Sequence, residues 1–196
     1  MRMISILLAG SMVAGSSAGC QQMSQTSGKG TIVNATLQTS QGIVELELYA
    51  SDAPKTVANF VGLAEQGYFN GILFHRISKG FVVQSGDSTG TGRGGRSIYG
   101  GRFEDELFPH APSYMTGYVR GTLAMANAGP NTNTSQFFIV LQDAQWLPKN
   151  YTIFGRVTSG MDVVDSIGAA PITPVMGPND GKPVEDIVIK SVTIKK

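Results

Sequence analysis

From Ile72 onward no apolar run lasts long before a glycine, proline or asparagine breaks it, and this punctuation constrains the fold more than any other feature. Glycine supplies the positive φ of tight turns and weakens helix and strand interiors. With 25 glycines in 196 residues, the chain favours many short strands joined by turns over long helices. Two stretches before Ile72 set the pattern. Ile32 to Leu37 and Ile43 to Leu48 alternate apolar and polar residues around Ser40-Gln41-Gly42, which predicts strand, turn and strand. Val44, Leu46 and Leu48 fall on one face, Glu45 and Glu47 on the other. Pro54 then opens a helix in which Val57, Phe60, Val61 and Ala64 recur at helical spacing, with Asp52 as its cap and Gly67 as its end. A second helix is expected over Met161 to Ile167 and a final strand over Ile187 to Ile194. Many short strands with two helices point to a mainly β fold, a closed barrel that leaves no sheet edge exposed. No internal repeat and no second domain is visible.

The first nineteen residues read as a targeting segment. Arg2 gives a positive start, Ile4 to Val13 a short apolar core, and Ala14 to Gly19 a run of small residues leading to Cys20. The apolar core is too short to cross a bilayer as a mature helix. Ser17-Ala18-Gly19-Cys20 resembles a bacterial lipoprotein signal, in which the cysteine becomes the lipidated N-terminus of a membrane-anchored, extracytoplasmic protein. Ordinary secretion with cleavage after Ala18, leaving a secreted or periplasmic chain, is the alternative. Cys20 is the only cysteine, so no intrachain disulfide can form. Residues 20–30 are polar and small, the composition of a tether, and the folded domain is expected over 31–196. Lys and Arg number 15 against 14 Asp and Glu. That balance argues against a nucleic-acid partner, which needs a basic patch or stripe.

Between Phe74 and Val157 the chain runs FHRISKGFVVQSGD, GTGRGG, MANAGPNTNTSQFFIV and QWLPKNYTIFGRV. Arg76 sits among aromatic residues, while Gln84 and Gln136 lie within strand-like runs. No cysteine nucleophile, serine-histidine-aspartate order or carboxylate pair stands out. The pattern suits a site that grips an uncharged, apolar segment and polarises it without covalent chemistry. For Arg76 the competing reading is a strand arginine paired with a surface acid. For Phe81, Val82, Phe138 and Leu147 it is plain core.

The motifs FHRI, GFVVQSGD, MANAGP, SQFFI and YTIFGRV, in that order, resemble the cyclophilin-type peptidyl-prolyl isomerases, and the likeness runs from about Ile32 to Ile194. It implies an eight-stranded antiparallel barrel capped by two helices and a reaction that needs no cofactor. It also implies roles. Arg76 is the arginine that acts on the twisted amide. Phe81, Val82, Phe138 and Leu147 form the proline slot. Gln84, Ala126, Asn127 and Gln136 hold the peptide backbone and orient the arginine, and Trp146 is the aromatic rim linked to cyclosporin binding. Three positions depart from the pattern. Val82 replaces a common methionine, Tyr151 a histidine and Pro148 an aspartate. Tyrosine keeps an aromatic wall with a polar tip, so activity is expected with altered substrate preference. The implied partners are proline-containing peptides or protein segments, cyclosporin, and a membrane reached through the lipid alone. Two other classes compete: a module that captures proline segments without turnover, and an interaction scaffold. Retention of Arg76 favours the enzyme, because a pure binder has no use for it.

Other signals carry less. Gly90-Thr91-Gly92-Arg93-Gly94-Gly95 fits a dinucleotide-binding pattern, but no βαβ unit encloses it, and it reads as a mobile glycine loop beside the site. His75 and His110 are too isolated for a metal cage, and His75 reads as a satisfied structural histidine. Glu104-Asp105-Glu106 reads as a solvated turn.

Overall fold

The first two alternating runs form a hairpin. In the computed structural model, which describes residues 31–195, β1 (Ile32–Thr39) pairs antiparallel with β2 (Ile43–Tyr49), with Ala35 opposite Leu46 and Leu37 opposite Val44. Val44, Leu46 and Leu48 are buried, while Glu45 and Glu47 stay half-exposed and pair with Lys195 and Arg156. Exposed ion pairs contribute about 0–1 kcal/mol, so the buried face is what holds this hairpin to the core.

Eight further strands complete the sheet: β3 (Arg76–Ser78), β4 (Val82–Ser85), β5 (Thr122–Met125), β6 (Phe137–Val140), β7 (Ile153–Ser159), β8 (Ile172–Gly177), β9 (Asp180–Pro183) and β10 (Ile189–Lys195). Their hydrogen-bonded order is β10-β1-β2-β7-β5-β6-β4-β3-β9-β8. The fold is mainly β, but the expected closed barrel of eight strands is corrected on two counts. Among the described residues ten strands are present, and no ladder joins β10 to β8. The extra pair is the β8–β9 hairpin, whose Pro174 and Pro183 mask it in the sequence. Proline cannot donate to a ladder and is confined to sheet edges, which is where this hairpin sits. Residues 71–74 approach 187–189 through the single bridge Leu73–Val188, flanked by backbone hydrogen bonds from Gly71 to Ile189 and Phe74 to Ile187.

Among the described residues three helices, not two, accompany the sheet: α1 (Pro54–Glu65), a single turn α2 (Pro112–Thr116) and α3 (Met161–Ala169). Asp52 does not cap α1. Its carboxylate accepts the amide of Ser113 in α2 at 2.9 Å. The first-turn amides of Lys55 and Thr56 donate instead to the Glu106 carboxylate, at 3.0 and 2.7 Å. The acidic triplet is therefore not a solvated turn. Glu104 pairs with Lys55, Asp105 accepts from Asn131 and Asn133, and Glu106 neutralises the positive end of α1.

Phe60 of α1 lies at the centre of the main core, 4.9 Å from Phe69, 5.7 Å from Phe137 and 5.5 Å from Phe154 between ring centroids. A second apolar cluster, on the opposite face of β4 and β6, is separate from it.

Candidate active site

Strand alternation builds the site. On β4, Val83 enters the main core and Val82 the second cluster. On β6, Phe137 and Ile139 take the first face, Phe138 and Val140 the second. Runs that are apolar at every position thus cover both faces of the sheet. Tyr118, Ala124, Ala144 and Ile153 complete the floor of the second cluster, and Phe81, Ala126, Leu147 and Tyr151 pack against it half-exposed. This partly open apolar recess brings together Phe81, Val82, Ala126, Phe138, Leu147 and Tyr151. Trp146, 69% exposed, lies over the Phe81 ring with centroids 4.9 Å apart. The Tyr151 ring meets Phe138 edge to face at 5.7 Å. Burial pushes the Tyr118 phenol up to about 12, so it is neutral at physiological pH and free both to donate and to accept.

The polar wall begins at β3. Register places Arg76 opposite Gln84 and Gln84 opposite Phe138. Arg76 Nη1 donates to Gln84 Oε1 at 3.0 Å, Gln84 Nε2 to Gln136 Oε1 at 2.9 Å, and Gln136 Nε2 to the carbonyls of Gly92 and Gly94 at 3.0 and 2.8 Å. A guanidinium can only donate, so it turns the Gln84 oxygen inward, and that orientation passes to Gln136. On its other edge Arg76 donates through Nε and Nη2 to the two carboxylate oxygens of Asp180, at 2.9 and 2.7 Å. The Arg76 bond, together with lesser help from Ser78, holds the Asp180 carboxyl below its ordinary value against the opposing effect of burial.

The glycine loop that receives Gln136 is anchored by Asp87, which is 1% exposed. Its carboxylate accepts the amides of Thr89, Thr91, Gly92 and Gly94 at 2.7 to 3.1 Å. A Cβ at Gly94 would lie 2.2 Å from Asp87 Oδ1, so only glycine permits that approach. The expected mobile loop is thus stitched to one side chain. His75 is buried, but the expected satisfaction is not found: among the described residues neither ring nitrogen has a hydrogen-bond partner. Burial pushes its pKa down.

Arg76, Gln84 and Gln136 therefore form one wall and the apolar residues the other. Asn127 stands beside them, but its side-chain nitrogen donates to the Asn150 carbonyl at 2.9 Å and to Asp105 Oδ1 at 3.3 Å. Its side chain braces loops, while the bonds to the Arg76 guanidinium come from Gln84 and Asp180. Asp180 escapes a sequence reading because it lies 104 residues from its partner. The hint available was the rule that a half-buried arginine needs a counter-charge. Cys20, the segment 1–19 and the tether 20–30 lie outside the described residues. A cavity of about 590 Å³ between α2 and β7 contains no member of the polar wall. Among the described residues no helix is long and apolar enough to cross a membrane.

The family model described as "Cyclophilin type peptidyl-prolyl cis-trans isomerase/CLD" matches residues 34–194. Peptidyl-prolyl cis-trans isomerase-like 1 of Homo sapiens is 53% identical over 156 residues, which span 80% of this chain and 89% of the relative. Peptidyl-prolyl cis-trans isomerase ppi1 of Schizosaccharomyces pombe is 48% identical over 164 residues, 83% of this chain and all (100%) of that one. A crystal structure of a Cryptosporidium parvum cyclophilin type peptidyl-prolyl cis-trans isomerase aligns with a TM-score of 0.76 at 37% identity, covering 85% of this chain and 99% of that chain. The structure of the same protein in the presence of the dipeptide Ala-Pro gives 0.75 at 38% identity, covering 83% and 99%.

Proposed function

From the premise that this chain belongs to the cyclophilin-type peptidyl-prolyl cis-trans isomerase family and is such an isomerase, we propose that it turns X–Pro bonds in exported proteins and so assists their folding. The physical demand is plain. Partial double-bond character raises a barrier of about 18–20 kcal/mol to rotation, and uncatalysed X–Pro exchange takes tens to hundreds of seconds. No bond needs to break. The catalyst must favour the twisted, deconjugated amide over either planar isomer.

In this reading the proline ring enters the recess of Phe81, Val82, Phe138, Leu147 and Tyr151. Ala126, Gln84 and Gln136 hold the peptide backbone on the polar side, with Asn127 bracing the loops beside them. Twisting returns the lone pair to the prolyl nitrogen, and an Arg76 N–H aimed at that nitrogen stabilises it only while the bond is twisted. Asp180 and Gln84 take one donor edge and one Nη1 hydrogen, which leaves a single N–H on each terminal nitrogen for the substrate. A pre-fixed fork beside an apolar recess is the observation that carries the proposal. The Ala-Pro dipeptide named with the Cryptosporidium parvum relative supports a proline-containing substrate. Trp146 at the rim supports cyclosporin as a ligand.

The setting rests on reading residues 1–20 as a targeting segment that ends in a lipidation cysteine, a reading supported by the positive start at Arg2, the apolar run Ile4 to Val13 and the small residues before Cys20. Cys20 then anchors an extracytoplasmic enzyme to a membrane through lipid alone. A protease-coupled isomerisation assay on residues 31–196 tests the activity. Peptide binding without accelerated exchange would reduce the protein to a capture module.

A further inference from the structure

Arg76 is gripped from two directions, and the second grip has a purpose beyond charge balance. We infer that Asp180 is a positioning residue for isomerisation: its carboxylate fixes the plane of the Arg76 guanidinium so that the free N–H groups face the apolar recess. The inference rests on the catalytic role proposed for Arg76.

Gln84 alone makes a single contact with Nη1 and leaves the guanidinium free to turn about it. Asp180 adds two parallel bonds along the Nε–Nη2 edge, and paired charge-assisted bonds fix orientation as well as distance. Contacts on Nε, Nη1 and Nη2 together limit how the guanidinium can turn, and they leave one N–H on each terminal nitrogen for the substrate.

The carboxylate is itself held by backbone. Asp180 opens β9, opposite Ser78 of β3, and Gly181 stands opposite Ile77. The preceding residue is fixed too, because the Asn179 carbonyl accepts the amide of Lys79 at 2.8 Å. A Cβ on Gly181 would lie 2.1 Å from the Thr173 carbonyl oxygen, so glycine lets β8 close tightly onto β9. The β8–β9 hairpin thus reads as a bracket that delivers one carboxylate to the site, which accounts for two strands beyond the expected eight.

The arrangement has no spare. A cavity of about 410 Å³ beside Arg76 is lined by the charged or titratable groups His75, Arg76, Arg93, Asp180 and Lys182. Asp180 is the one acid among these, so no neighbour in the cavity can take its place. The Asp180 side chain is 17% exposed and that of Arg76 30%, so the pair is shielded but open to a peptide on one side.

A double-mutant cycle separates positioning from mere structural support. Isomerisation of a proline peptide is followed by exchange spectroscopy in wild type, Asp180→Ala, Arg76→Ala and the double variant. Asp180→Ala is expected to lower turnover by roughly ten- to a hundredfold, as a small misplacement of a catalytic group does, with peptide affinity within about twofold. In the Arg76→Ala background the same change is expected to cost nothing further, because its effect passes through Arg76. If Asp180→Ala does not fold, the isosteric Asp180→Asn carries the cycle with a smaller loss. Wild-type turnover in the single variant, or an equal loss in both backgrounds, overturns the inference. A wild type that binds the peptide without exchanging it overturns the catalytic reading of Arg76 as well.

Discussion

The Tyr118 hydroxyl donates to the Tyr151 carbonyl at 2.9 Å and accepts the Tyr151 amide at 3.0 Å. One buried phenol thus satisfies both backbone groups of Tyr151, a wall of the recess. Tyr118→Phe keeps the ring and removes both bonds. Leaving buried polar groups unpaired costs about 1–3 kcal/mol, so the denaturation midpoint should fall. The Tyr151 wall should also loosen, weakening peptide affinity more than turnover. Denaturant titration and peptide binding check the two parts, and unchanged affinity would remove Tyr118 from the support of the site.

Asp87 gives a pH dependence with a definite sign. Burial opposes its ionisation, but bonds from the Thr89 amide and hydroxyl and from the Gly94 and Gly92 amides outweigh that and lower its pKa from 3.8 to about 2. A carboxyl depressed in the folded state stabilises the protein above its unfolded-state value, and the contribution is lost as pH falls through the folded value. The gap corresponds to on the order of 2 kcal/mol. Asp87→Asn should therefore lower stability at neutral pH by about that amount and flatten its dependence between the ordinary carboxylate range and the folded value. Urea denaturation across that window measures it. Equal slopes in both proteins would mean that Asp87 does not govern the acid limb.

The first half of the fold was legible because its signals are local. Ile43 to Leu48 alternates, and Val57, Phe60 and Ala64 repeat at helical spacing, so β2 and α1 follow from period alone. Arg76 and Gln84 were legible as polar residues in apolar runs, and the register of β3 on β4 makes them neighbours. Contacts between distant segments were hidden. Glu106 lies 50 residues from the Thr56 amide it caps, and no spacing rule leads from one to the other. Val82 and Val83 look alike in sequence, yet one lines the recess and the other the core, since an apolar run does not say which of its faces is covered. Arg76 shows that two readings can hold together: it does pair with an acid, and the pairing faces it into the site.

The anchor is tested by changing one atom. If Cys20 is diacylglyceryl-modified, Cys20→Ser should move the protein from the membrane to the soluble fraction. A single acyl chain gives only marginal binding, so the wild type should carry several, visible by mass spectrometry of the N-terminal peptide. A soluble wild type that begins at Gly19 would instead establish ordinary secretion.

Catalysis turns on whether Arg76 acts on the twisted amide or on the bound peptide. If its free N–H groups engage the nitrogen only during rotation, their loss lowers turnover far more than affinity. A charge-assisted hydrogen bond is worth about 1.5–3 kcal/mol, and about 1.4 kcal/mol is tenfold in rate. Arg76→Ala should therefore slow isomerisation by roughly ten- to a few-hundredfold. Arg76→Lys should recover little, because a point charge cannot span Asp180, Gln84 and substrate together as the planar fork does. Phe138→Ala provides the contrast: it opens the recess without touching the donors, so affinity should fall more than the rate of the bound peptide. Exchange spectroscopy reads both quantities from one sample. An Arg76→Ala protein that isomerises at the wild-type rate would move catalysis to the apolar recess and leave the arginine as an anchor for the peptide backbone.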